Sequence, residues 1–360
     1  MKQIETYMQQ GVSNGVFPGG VLLVSKYDSV VFKKAYGYAD MFLKIHMVTD
    51  TIFDLASLTK PLATTMAVMK LIQDCKVDLD EHLGSILHVF KGTDKEKVTI
   101  RQLLCHSSGL PDYRPYYKTL VKLPAAQRKN ALRKLLVKES LLFSPGQTTL
   151  YSDLGFMVLC WVVERLSEKR LDRYVTEDIY TPMDIFDRPG NGLFFNDLNS
   201  APRSGNYAAT ECCPWRKIVL SGQVHDDNAY ALGGIEGHSG LFGTADDVLK
   251  LLLFLLNVFY EKSLTNMFDS ALIHQFFMRQ NNTDWALGFD TPSQIGSSSG
   301  KMFSRNTVGH LGYTGTSFWV DIDRCIIVIL LTNRVHPSRD NDQIKQFRPK
   351  LHNMVMEKFL

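Results

Sequence analysis

Phe53-Asp54-Leu55-Ala56-Ser57-Leu58-Thr59-Lys60 opens an apolar run that continues to Ile72. Its apolar spacing predicts a buried helix over residues 57–72, with Pro61 tolerable in the first turn. Serine and lysine three positions apart share a helix face, close enough for the amine to touch the hydroxyl. A serine hydroxyl is a weak nucleophile until a neighbouring base takes its proton. A lysine in apolar surroundings can have its pKa lowered enough to help. Two common residues three apart carry little weight alone. Their place here, at the start of a buried helix directly after a strand and turn, is the context such chemistry needs.

Upstream, residues 2–15 suit a helix. Residues 20–26 and 30–36 read as strands joined by Tyr27-Asp28-Ser29, a hairpin. From about 80 to 230 the pattern is helical, best at 100–104, 125–138 and 154–166. A helix at 245–259 follows, then strands at 285–289, 317–321 and 325–331, the last two joined as a hairpin through Ile322-Asp323-Arg324, and a closing helix at 347–359. This order predicts an α/β (α+β) fold: a sheet built from both chain ends, flanked by helices, with an inserted helical lobe. The expected division is 1–79 with 231–360 as the sheet lobe and 80–230 as the helical lobe, with the site in the cleft between them. The loops at 113–123 and 186–213 shape the pocket.

Three further segments carry polar chemistry. Tyr151-Ser152-Asp153 precedes a helix, where the tyrosine can point into a cleft while Ser152 or Asp153 caps the helix. Near a lysine ammonium the Tyr151 phenol is expected to acidify. Gly309-His310-Leu311-Gly312-Tyr313-Thr314-Gly315-Thr316 lets backbone approach a substrate, as an oxyanion hole of N–H groups requires, or else forms a bulged strand or turn. Gly237-His238-Ser239-Gly240-Leu241 lacks the final glycine of a nucleophile elbow, so Ser239 is a poor nucleophile candidate. His106 and His238 read as loop braces. His225-Asp226-Asp227 has no further groups at ligand spacing and reads as a loop at the cleft rim, so no metal is expected.

Composition narrows the function. The chain has 360 residues, 45% hydrophobic and 21% charged, with net charge +3. It has no dense basic stripe interleaved with aromatics, which argues against nucleic-acid binding. The longest apolar run, near 248–260, is too short for a membrane span. The first residues lack the basic-then-apolar order of a secretion signal. Six scattered cysteines with no CxxC pair point to a reducing, cytoplasmic setting.

In order and spacing, six motifs resemble the class C β-lactamase-like family of serine hydrolases, which includes DD-carboxypeptidases and family VIII esterases. They are Phe53–Lys60, Leu103–Pro111, Phe143–Gly146, Tyr151–Asp153, Gly237–Phe242 and Gly309–Gly312, and the opening at Gly15–Val24 is similar too. The resemblance implies that Ser57 is acylated, Lys60 assists, and Tyr151 accepts and returns the proton. It also implies an oxyanion hole from the N–H groups of Ser57 and Tyr313, substrate contacts from Asp153, His310 and Gly312, and no metal or organic cofactor. Asp153 stands where the family usually has Asn, and His310 where β-lactamases usually have Lys. These departures favour a small-molecule ester over an amide or β-lactam. The expected activity is therefore an esterase, with β-lactamase or D-Ala-D-Ala carboxypeptidase as the alternative and a non-catalytic ligand-binding relative as the second.

Overall fold

Both chain ends supply one antiparallel sheet. The computed structural model describes residues 1–183, 192–201, 203–262, 267–281 and 283–360, so 186–191 and 202 of the loop at 186–213 lie outside the described residues. The sheet order is Ile45–His46, Ser29–Asp40, Gly19–Lys26, Ile326–Thr332, Ser317–Asp321, Thr307–Leu311. Its seam joins Gly19–Lys26 to Ile326–Thr332, with Gly20 opposite Thr332 and Lys26 opposite Ile326.

Side chains alternate across a strand, so a strand buried on both faces reads as a continuous apolar run. Val21, Leu23, Ile327, Ile329 and Leu331 face the large core. Leu22, Val24, Ile326, Val328 and Leu330 face a second core, closed by the terminal helices Lys2–Ser13 and Ile344–Phe359. The large core contains the buried helix Asp153–Ser167 and the helix Ala245–Phe259. The latter starts at a reciprocal capping box between Thr244 and Asp247.

Three expectations change. The run 57–72 is not one regular helix. It passes from a 3-10 turn (Ala56–Leu58) through a π-helical stretch (Lys60–Thr65) into the α-helix Met66–Gln73. Pro61 has no N–H to return to the preceding turn, so the ladder opens there. Residues 285–289 do not form a strand and leave only an isolated bridge between Trp285 and Asp290. Gly288 adopts a left-handed φ of 81° inside a tight turn, which breaks the extended run. The segment at 80–230 also holds the short strands Phe194–Phe195, Cys212–Cys213 and Ile218–Val219 among its helices.

The seam generates a stability prediction. Ile329 is fully buried between Leu23 and Phe318 on the neighbouring strands. Ile329→Ala should cost about 2–5 kcal/mol in chemical denaturation, through lost transfer energy and the cavity left behind. Ile295→Ala, at a side chain 91% exposed, should stay within about 0.5 kcal/mol of the parent.

Candidate active site

The turn before Ser57 is held under strain. Ala56 sits at φ 49°, a left-handed conformation that costs a non-glycine residue about 1–3 kcal/mol. The surrounding bonds supply that constraint. Asp54 Oδ1 accepts the Ala56 N–H at 2.9 Å, and the Thr59 hydroxyl donates to the Ala56 carbonyl at 2.6 Å. Two threonines from the Gly309–Thr316 segment close over the turn. Thr314 donates to the Asp54 carbonyl at 2.8 Å and Thr316 to the Leu55 carbonyl at 3.0 Å. Gly312 is required beneath this clamp, because a Cβ there would meet Thr316 Oγ1 at 1.9 Å.

Lys60 is wholly buried behind Ser57. Its ammonium donates to Ser57 Oγ at 3.0 Å, Asp153 Oδ1 at 2.7 Å and the His238 carbonyl at 3.1 Å. An ammonium has three N–H donors and no acceptor, and with the Tyr151 hydroxyl as a fourth neighbour every one of them is engaged. Burial alone would depress the lysine pKa, but the Asp153 carboxylate, with Tyr151, outweighs it and holds the group above its ordinary value. The expected lowering is overturned by that carboxylate.

Tyr151 packs its ring 4.8 Å from the Lys60 nitrogen, and its hydroxyl has Lys60 and Ser57 as hydrogen-bond partners. Burial raises the phenol pKa and wins over the opposing pull of Lys60. The expected acidification is therefore also reversed: desolvation outweighs the neighbouring cation. The ring is set between His106, at 4.6 Å, and Trp285, at 5.7 Å. His106 Nδ1 accepts the Ser152 N–H at 3.0 Å and its carbonyl accepts the Leu150 N–H at 2.9 Å, so it grips the backbone on both sides of Tyr151. Ser152 in turn caps the following helix, accepting the Gly155 N–H at 3.0 Å.

Among the described residues, the N–H groups of Ser57 and Tyr313 donate no hydrogen bond within the protein. The Tyr313 loop is fixed from behind by cations. Arg334 donates twice to the Tyr313 carbonyl, at 2.9 and 2.6 Å, and buried Arg348 donates to the Thr316 carbonyl at 2.8 Å.

A cavity of about 350 Å³ opens on Ser57, Tyr151, Asp153 and Tyr313. Lys60, His310 and Gly312 are not on its wall. His310 is buried against Tyr151 and Trp285, with Nδ1 donating to the Leu311 carbonyl at 2.8 Å. Burial and then Lys60 push its pKa down to about 3, so the ring is neutral. A wider depression of about 940 Å³ around Phe259 and Tyr260 brings no nucleophile to a base.

Several cavity residues had no catalytic or binding role assigned from the sequence, where His238 read as a loop brace and 225–227 as a cleft-rim loop. Arg339 lines the wall, but its guanidinium is taken by Glu211 at 2.7 and 2.5 Å and by Asp227 at 3.3 Å. His238 pairs through Nε2 with Asp226 at 2.9 Å. Asp227 is also bound by Arg216 at 2.8 Å and by the Trp215 indole at 2.9 Å. Arg339 and Glu211 are 128 positions apart, a separation at which no local periodicity could pair them. The histidine pair with Asp226 spans 12 positions, and only the polar character of 225–227 hinted at it.

Comparison with known proteins identifies the family and the fold. The family model described as Beta-lactamase matches residues 4–350. The chain is 32% identical to an N-acetylmuramyl-L-alanine amidase of Bacillus subtilis (strain 168), over 93% of this chain and 81% of the relative. It is 30% identical to a putative D-alanyl-D-alanine carboxypeptidase of Salmonella agona, over 96% of this chain and 85% of the relative. Its fold superposes on EstCE1, a hydrolase with promiscuous acyltransferase activity, with TM-score 0.74, 23% identity and coverage of 97% and 98% of the two chains. This chain belongs to the Beta-lactamase family of serine hydrolases.

Proposed function

We propose that the protein hydrolyses small, neutral carboxylic esters through an acyl-enzyme on Ser57, in a cleft between a sheet lobe (1–79 with 231–360) and a helical lobe (80–230). The observation that carries the reading is the Lys60 ammonium. It spends one N–H on the Ser57 oxygen, which leaves the Ser57 proton free to point at Tyr151. Loss of one proton from the Lys60–Tyr151 pair creates the base. That base takes the Ser57 proton as Oγ attacks the ester carbonyl. The oxyanion is received by the N–H groups of Ser57 and Tyr313, the proton passes to the departing alkoxide, and water then releases the acid.

Neutral substrates are favoured because, among the described residues, Arg339 and His238 on the cavity wall are each paired with carboxylates. Arg339 is saturated by two carboxylates and His310 is neutral and off the wall. The Asp153 carboxylate accepts from Lys60 at 2.7 Å, and a carboxylate has no donor to offer an acyl-amide carbonyl. Amide cleavage is the second reading, favoured by the amidase and carboxypeptidase names of the two relatives. A reducing compartment is part of the proposal, supported by six unpaired thiols. No helix among the described residues is long and apolar enough to cross a membrane.

The purified protein should turn over a p-nitrophenyl ester faster than a penicillin, with Ser57→Ala abolishing turnover of the ester. Faster penicillin turnover would move the assignment to a β-lactamase.

The pH dependence follows from the two raised pKa values. Lys60 and Tyr151 both hold their protons at neutral pH, so kcat/KM should climb as pH rises from neutral into the alkaline range. Asp153→Asn removes the carboxylate that holds the Lys60 proton and should move this limb to lower pH. A limb unmoved by Asp153→Asn would show that the titrating base lies elsewhere.

A further inference from the structure

The two N–H groups offered to the oxyanion, those of Ser57 and Tyr313, come from opposite ends of the chain. A hole for one small atom needs them held at a fixed separation. Asp54 touches the supports of both. It is 2% exposed, and each of its carboxylate oxygens takes one backbone N–H: Oδ1 that of Ala56 at 2.9 Å, Oδ2 that of His225 at 2.6 Å. Its carbonyl accepts the Thr314 hydroxyl at 2.8 Å.

Each of these bonds leads to one side of the hole. The bond to Ala56, two residues on, is a local turn that aspartate favours, and it holds the residue before Ser57 at its left-handed φ of 49°. The bond to His225 fixes the backbone of an imidazole that stacks on the Tyr313 ring, with centroids 5.7 Å and planes 27° apart. Glu211 Oε2 lies 3.4 Å from Nε2 of that imidazole and bounds it on another side. The bond from Thr314 ties the residue after Tyr313 directly to the Asp54 backbone. That backbone is itself anchored, since Asp54 pairs with Phe242 across two short strands and the Leu55 N–H donates to the Leu241 carbonyl at 2.9 Å.

We propose that Asp54 is a positioning residue that sets both donors of the oxyanion hole at once, the Ser57 side through Ala56 and the Tyr313 side through His225 and Thr314. The inference rests on the acyl-enzyme reading of Ser57. Burial raises the Asp54 pKa against the pull of the His225 and Ala56 N–H groups, so a carboxylate at this place carries a desolvation cost that a neutral turn residue would avoid. Asparagine, the neutral residue of the same shape, has one acceptor oxygen where two N–H groups must be met.

The test measures kcat and KM for p-nitrophenyl acetate in Asp54→Asn, Thr314→Val and the double variant. Asparagine turns an N–H toward one of the two backbone N–H groups. Asp54→Asn should therefore lower kcat by about 10- to 100-fold, less than the roughly 10²–10³-fold for outright loss of an oxyanion donor. Acylation and deacylation both pass through an oxyanion, so the two steps slow together and KM should not move. Thr314→Val, close to isosteric and gentler on the fold, should lower kcat by about 5- to 10-fold. The double variant should lose less than the product of the two, because both changes act on one device. An unchanged kcat in Asp54→Asn, a loss that falls on KM instead, or losses that multiply overturns the proposal. Amide hydrogen exchange in the free proteins decides the same point without turnover. Thr314→Val should speed exchange at 55–59 and Asp54→Asn at 312–316, each across the hole from its own substitution, and exchange altered only on the substituted side overturns the coupling. Should Asp54→Asn not fold, kcat and exchange at 55–59 in Thr314→Val decide. Phosphonate labelling of wild-type Ser57 reports on the acyl-enzyme separately.

Discussion

A buried ammonium must find partners for all of its protons, and much of this site follows from how Lys60 does so. Its three bonds reach residues from three separated parts of the chain: Ser57 before it, Asp153 at the head of a core helix, and the His238 carbonyl. Breaking a buried ion pair by removing one partner leaves an uncompensated charge, a loss of about 3–5 kcal/mol. The lysine therefore fixes the mutual positions of the Ser57 turn, the Tyr151 loop and the 236–241 segment as well as serving the chemistry. Against burial, the Asp153 carboxylate and Tyr151 raise its pKa, so the resting site holds one proton more than the attacking serine needs.

The second constraint is electrostatic and comes from the sheet. The strands Thr307–Leu311 and Ser317–Asp321 present the loop whose threonines clamp the strained Ala56 turn. Arg334 and Arg348 hold carbonyls of that loop from behind without a carboxylate salt bridge among the described residues. Backbone N–H groups fixed in this way need no reorganisation when negative charge develops beside them, which is where such donors gain most over water.

The parts of this arrangement that sequence could show are the local ones. Ser57 and Lys60 are three apart, the hairpins at 27–29 and 322–324 have short turns, and the helices at 100–104, 125–138 and 245–259 have apolar periodicity that matches their burial. Four features escaped for physical reasons. Pro61 opened a π-helical stretch where period alone gave a regular helix. Gly288 broke an apolar run that otherwise read as a strand. The sign of the Lys60 and Tyr151 shifts depends on how burial balances against Asp153 and Lys60 at particular distances, and no sequence pattern carries that balance. The Arg339–Glu211 pair that neutralises the cavity wall is formed across 128 positions and was invisible for the same reason.

The central claim is that an acyl group passes through the Ser57 oxygen. The direct measurement is rapid acid quenching of the protein during turnover of a slowly deacylated ester, followed by intact-mass analysis and peptide mapping. The account predicts a single added acyl group, located on Ser57 and lost on the time scale of turnover. An acyl group mapped to Ser239, or steady turnover with no adduct on Ser57 at any quench time, would contradict it.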